Sequence, residues 1–130
     1  MTDTKIERFA GSGVLPAGLP FPEGTAAGPL VFLSGQLGNL PGTLALVPGG
    51  IRAEARQALD NIATVLRSQG LGVDRLVRCT VMLADMAEWP AFNEVYAAFF
   101  AGQPLPARSA FGCSALALGA RVEIECTAAR

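Results

Sequence analysis

The stretch Arg121–Thr127 alternates with a strict period of two: Val122, Ile124 and Cys126 fall on one side, and Arg121, Glu123, Glu125 and Thr127 on the other. Such a pattern fits a β-strand with one face against a core and the other left charged. Upstream, Ile51, Ala55, Ala58, Leu59, Ile62, Val65 and Leu66 recur at three- and four-residue spacing, while Arg52, Arg56, Asp60 and Arg67 take the opposite side. Residues Ile51 to Gln69 therefore read as an amphipathic helix, ended by Gly70. A half-buried strand and a one-sided helix must cover each other, which places the chain among layered sheet-and-helix folds.

The other elements fit that frame. Val77, Cys79, Val81 and Leu83 alternate with a face carrying Arg78 and Thr80, giving a strand over Leu76 to Leu83. A second helix covers Trp89 to Phe100, with Pro90 in its first turn and Gly102 and Pro104 closing it. Near the start, Lys5 to Phe9 can form a short strand. Gly11, Gly13, Pro16, Gly18, Pro20, Pro22 and Gly24 then make the chain up to Gly28 an ordered, irregular loop. Leu30 to Leu33 is an apolar strand, broken at Ser34-Gly35-Gln36, where Gly35 permits a bulge or a close backbone approach. A weakly defined strand near Leu44 to Val47, a strand near Ser109 to Leu116 and a turn at Gly119 complete the order. It predicts one α+β domain over residues 1–130, with both helices on one side of a mixed sheet.

Composition narrows the chemistry. There is no histidine, which removes Ser-His-Asp and Cys-His arrangements, the commonest general base and the usual nitrogen ligand for zinc. Ten basic and eleven acidic side chains leave a net charge of -1, so no cationic surface draws in a phosphate backbone, and nucleic acid is not expected as a partner. Only 16% of the residues are charged and 51% are hydrophobic, a rich apolar content that implies self-association. No apolar run reaches the ~20 residues of a membrane span. Met1 to Ala10 lacks the apolar core of a secretory signal, so a cytoplasmic location is expected. Cys79, Cys113 and Cys126 fall in apolar strand patterns without a Cys-x-x-Cys pair and read as buried thiols.

Three motifs go further: Pro106-Ala107-Arg108-Ser109 ahead of a strand pair ending Val122-Glu123-Ile124-Glu125, Leu33-Ser34-Gly35-Gln36, and Phe92-Asn93-Glu94-Val95-Tyr96. With them the chain resembles the RidA/YjgF family of small enamine/imine deaminases over nearly its whole length. The resemblance implies a chorismate-mutase-like fold assembled as a homotrimer with intersubunit sites, and catalysis without metal or organic cofactor. Arg108 falls at the family's substrate-carboxylate arginine, and a planar guanidinium suits that task because it can pair with both carboxylate oxygens. Taken alone, an arginine is by default a surface residue paired with Asp or Glu. Glu123 matches a glutamate that positions water at the intersubunit cleft. As a strand residue it could instead be a solvated carboxylate or pair with Arg121 or Arg78, and Glu125 shares its face.

The same resemblance assigns Asn93 to the cleft, with a plain helix-surface residue as its alternative, and Ser34 to the pocket wall, with a local hydroxyl turn as its alternative. Phe21 stands where the family usually has tyrosine, keeping an aromatic wall without the hydroxyl. Ala110 stands where many members have cysteine, whose contribution lies largely in its backbone amide. Tyr96, Phe99 and Phe100 read as core or interface packing.

The implied reaction is hydrolytic deamination of enamine and imine intermediates of the 2-aminoacrylate type to 2-keto acids and ammonia. The alternative is a non-catalytic trimer that binds a small carboxylate or keto acid as a metabolic sensor or pathway accessory. Ribonuclease activity, attached to some relatives, lacks its usual acid–base pair and phosphate steering here.

Overall fold

A computed structural model describes residues 3–130; Met1 and Thr2, at the start of the segment read as lacking a secretory core, lie outside it. In chain order its elements are β1 (Ile6–Phe9), β2 (Gly24–Ala27), β3 (Leu30–Gln36), α1 (Gly50–Ser68), β4 (Leu76–Leu83), α2 (Trp89–Phe99), β5 (Ala107–Gly112) and β6 (Val122–Ala129). Short 3-10 turns occupy Val73–Arg75, Met86–Glu88 and Ala117–Gly119. The strands form one sheet in the order β1-β2-β3-β6-β4-β5. Neighbours run antiparallel except β4 and β5, which α2 joins as a parallel pair. This is the expected α+β arrangement of a mixed sheet and two helices.

The alternating strand β6 sits between β3 and β4, near the middle of the sheet. Its Val122, Ile124, Cys126 and Ala128 are buried under α1, whose Ala55, Ala58, Leu59, Ile62, Val65 and Leu66 are buried in turn. α2 packs beside α1 and buries Phe92 and Tyr96. Both helices therefore cover one face, and the other face carries Phe32, Thr80, Glu123, Glu125 and Thr127. Cys79 and Cys126 face each other across β4 and β6, buried, with their sulfurs 3.1 Å apart; Cys113 is half-buried.

Several boundaries differ from expectation for physical reasons. β2 lies inside the segment read as loop: Gly24, Thr25, Ala26 and Ala27 are too small to show a hydrophobic alternation, yet they pair on both sides in a meander. No strand forms near Leu44 to Val47, where the pairing is a single bridge between Asn39 and Leu46. β3 does not end at Leu33 but continues to Gln36, its register slipping against β6 between those residues. On β4, Leu76 is buried and Val77 exposed, because the register shifts between Leu76 and Arg78 and turns Val77 outward. β5 begins at Ala107 and stops at Gly112, rather than running from Ser109 to Leu116.

Two buried amides tie the long loops to this frame. Asn61 on α1 donates to the carbonyls of Leu37 (3.1 Å) and Asn39 (3.1 Å). Asn39 in turn donates to the carbonyls of Val14 (3.0 Å) and Thr43 (3.0 Å), fastening the N-terminal loop to the loop after β3. Replacing Asn61 with alanine should cost about 1–3 kcal/mol for each carbonyl left buried without a donor. Urea denaturation should show a lowered midpoint, and an unchanged midpoint would mean that water replaces the amide.

Candidate active site

Arg108 lies on β5 directly beside Cys79 of β4, and paired residues in a sheet project to the same side. Cys79 points into the core, so Arg108 points to the helix side. There α2 presents Phe92 and Tyr96, four residues apart on one helix face, and the guanidinium carbon lies 5.8 Å and 4.8 Å from their ring centroids. A cation on an aromatic bed is held in place without a counter-charge. Among the described residues no carboxylate pairs with Arg108, which removes the surface ion-pair alternative.

Around it opens a cavity of about 470 Å³ lined by Asn93, Tyr96, Phe100, Leu105, Pro106 and Arg108. Among the described residues, Asn93 Oδ1 and the Tyr96 hydroxyl are buried there without a hydrogen-bond partner. Burial pushes the Tyr96 phenol well up, with Cys79 adding to the effect, so it stays neutral beside the arginine. Ala110, two residues along β5, is half-buried on the same side. Because β5 is an edge strand, alternate backbone groups along it have no neighbouring strand to pair with.

Glu123 leaves the sheet from the opposite face, being flanked by the inward-pointing Val122 and Ile124. Neither arginine considered for it is its partner: Arg121 pairs with Glu88 (2.7 Å) and Arg78 donates to the Ser109 hydroxyl (2.8 Å). Partial burial, reinforced by the neighbouring Glu125 charge, raises its carboxyl above the ordinary range. Its carboxylate rests against Gly35 on β3, where a Cβ would lie 2.9 Å from Glu123 Cδ and closer still to one carboxylate oxygen. Glycine at 35 is thus the condition for Glu123 to occupy this position. Gly35→Ala should leave the fold intact, since the obstacle is the end of a flexible side chain, but swing the carboxylate away. Under the catalytic role that the family resemblance implies for Glu123, a displacement of this kind costs about a hundredfold in turnover. Steady-state rates with a circular dichroism control check it, and undiminished turnover would free Glu123 from that position.

A second cavity, about 300 Å³, brings together Glu123, Gly35 and Phe21. Ser34 is not part of its wall. Its hydroxyl donates to the Pro22 carbonyl (2.8 Å) and its N–H to the Glu23 carbonyl (2.9 Å), so it anchors the segment that carries Phe21. This is neither the pocket wall nor the local turn anticipated for it. The predicted residues therefore form two groups: Arg108, Asn93 and Ala110 at one sheet edge on the helix side, and Glu123 and Phe21, with Ser34 behind, on the other face. The bed of Phe92 and Tyr96 was not foreseen as part of a site. Its signal was the four-residue aromatic spacing on the helix that precedes the Arg108 strand.

An arginine and a glutamate, each without an ionic partner among the described residues, thus stand on opposite faces of a helix-backed sheet, the glutamate's carboxyl raised above its ordinary range. Residues 14–130 match the family model described as Endoribonuclease L-PSP. The chain belongs to this family, the RidA/YjgF family. It is 40% identical to the 2-iminobutanoate/2-iminopropanoate deaminase of Mus musculus over 95% of this chain and 91% of that one. Among solved structures it resembles yeast Mmf1 (TM-score 0.90, 30% identity, 97% and 99% of the two chains). It also resembles E. coli TdcF with bound serine (TM-score 0.87, 28% identity, 95% and 98%). Among the described residues no helix is long and apolar enough to cross a membrane.

Proposed function

We propose that the protein hydrolyses 2-imino acids to 2-keto acids and ammonia, at sites completed between copies of the chain in a homotrimer. The observation that carries this reading is the placement of Arg108 and Glu123. Among the described residues each lacks an ionic partner, and they leave opposite faces of one sheet, so a single chain cannot bring both to one substrate. A neighbouring copy that lays its open face against the β5 edge would set Glu123 and Phe21 opposite Arg108, Asn93 and Ala110. The names of relatives such as the mouse deaminase, and the serine bound to TdcF, support a small amino-acid-like substrate.

In the reaction Arg108 holds the substrate carboxylate through two parallel hydrogen bonds, fixing the imine carbon. Glu123 takes a proton from a water as its oxygen adds to that carbon, giving a tetrahedral amino alcohol. That proton is delivered to the imine nitrogen as the amino alcohol forms; Glu123 then carries the hydroxyl proton to the same nitrogen as the C–N bond breaks, the hydroxyl oxygen becomes the keto oxygen and ammonia leaves: one imino acid and one water give one keto acid and one ammonia. With phenylalanine at 21 no hydroxyl assists, so Glu123 both accepts and returns the proton. A carboxyl raised above its usual range suits that double duty.

Co-expression of Arg108→Ala and Glu123→Gln chains tests the reading. Each variant alone should release little ammonia above the spontaneous rate, whereas randomly mixed trimers regain an intact Arg108–Glu123 pairing at about one site in four. Absence of any rescue would place the site within one chain. Wild-type protein no faster than spontaneous hydrolysis would leave a carboxylate-binding module in its place.

A further inference from the structure

The cavity that holds Glu123 is apolar almost throughout. Its other polar residue, Asn39, spends its amide on the Val14 and Thr43 carbonyls. The remaining wall is built chiefly of Leu15, Leu19, Phe21, Leu37, Leu44 and Leu118. These come from three separate loops, so no periodicity of one element would explain the clustering.

One of them is held at a cost. Leu118 has φ 59 and ψ 16, the one positive φ at a non-glycine residue among those described, and its side chain is about half exposed. Core packing does not keep it there. Non-glycine residues persist in left-handed backbone where the placement of the side chain is put to use, and here that placement is the mouth of the Glu123 cavity.

A methyl-sized substrate side chain would fill little of the roughly 300 Å³ available, leaving leucine surface against water. We propose that this cavity receives the substrate's side chain and that the preferred substrates are 2-imino acids with bulky apolar side chains, of the size of those of leucine and phenylalanine. The inference rests on the deaminase reading above and adds the substrate class to it. Phe21 fits this role as an aromatic wall residue, about half exposed at the cavity.

The test compares kcat/KM for imines generated in place from alanine and from leucine by an amino-acid oxidase. The leucine-derived imine should be favoured by about tenfold or more, the discrimination an apolar pocket yields per methylene. Leu118→Gly should lower that ratio several-fold. It should melt no lower than wild type, because glycine adopts φ 59 freely and little core contact is lost. Leu44→Ser, at another exposed wall position, should also lower the ratio. Calorimetric binding of the products should follow the same order, with 4-methyl-2-oxopentanoate tighter than pyruvate. An equal or greater kcat/KM for the alanine-derived imine overturns the pocket assignment while leaving the deaminase reading standing. Hydrolysis of neither imine above the spontaneous rate overturns both.

Discussion

Replacing Arg108 with alanine is expected to lower kcat/KM for imino acids by roughly thirty- to several-thousandfold, the range that follows when one partner of a desolvated charge pair worth 2–5 kcal/mol is removed. The guanidinium is pre-placed on Phe92 and Tyr96 and, among the described residues, has no carboxylate of its own to release, so its full pairing capacity is available to the proposed substrate. The carboxylate is held alike before and during reaction, so most of the effect should appear in KM. Arg108→Lys should recover only part of the loss, since a single ammonium cannot match both carboxylate oxygens. Ammonia release under initial-rate conditions reads both variants. An alanine variant within a few-fold of wild type would move carboxylate recognition elsewhere.

Glu123→Gln should reduce kcat by roughly a hundred- to ten-thousandfold, the contribution of a positioned acid–base group. Its pH behaviour has a defined sign. Turnover needs the carboxylate, and burial and Glu125 raise its pKa, so wild-type activity should fall as pH drops through a limb lying above the usual carboxylate range. The variant's residual activity should lack that limb. Stability runs the other way. A carboxyl whose folded pKa exceeds its unfolded one favours the folded state when protonated, and that contribution is lost as pH rises from the unfolded value through the folded one. At neutral pH the glutamine variant should therefore melt at or above wild type. A variant that is both inactive and less stable would make Glu123 a structural residue.

Much of this was readable from residue order, because β6 and α1 alternate strictly enough to define their faces, and β6 alone places Glu123 on the uncovered side. The face of Arg108 was not readable. It stood ahead of the strand predicted from Ser109, whereas β5 starts at Ala107 and aims the arginine at α2. β2 escaped because Gly24–Ala27 carries no large side chain to alternate, and Val77 was misplaced because a register shift leaves no mark in composition. Tyr96 shows the limit from another side: it is core by burial and site by its contact with Arg108, a double role that spacing cannot separate. The leucine-walled cavity draws on Leu15, Leu37, Leu44 and Leu118, which are distant in sequence and become neighbours through Asn39 and the loops it fastens.

Setting Arg108 and Glu123 on opposite faces of one sheet also divides the molecule into parts that can change at different rates. The arginine is supported by α2 and an edge strand, where alterations disturb the core. Phe21, Leu15, Leu44 and Leu118 lie on connections outside the strands and the two helices. A lineage could thus remodel the proposed side-chain pocket, residue by residue, while inheriting unchanged the arginine proposed to grip a carboxylate.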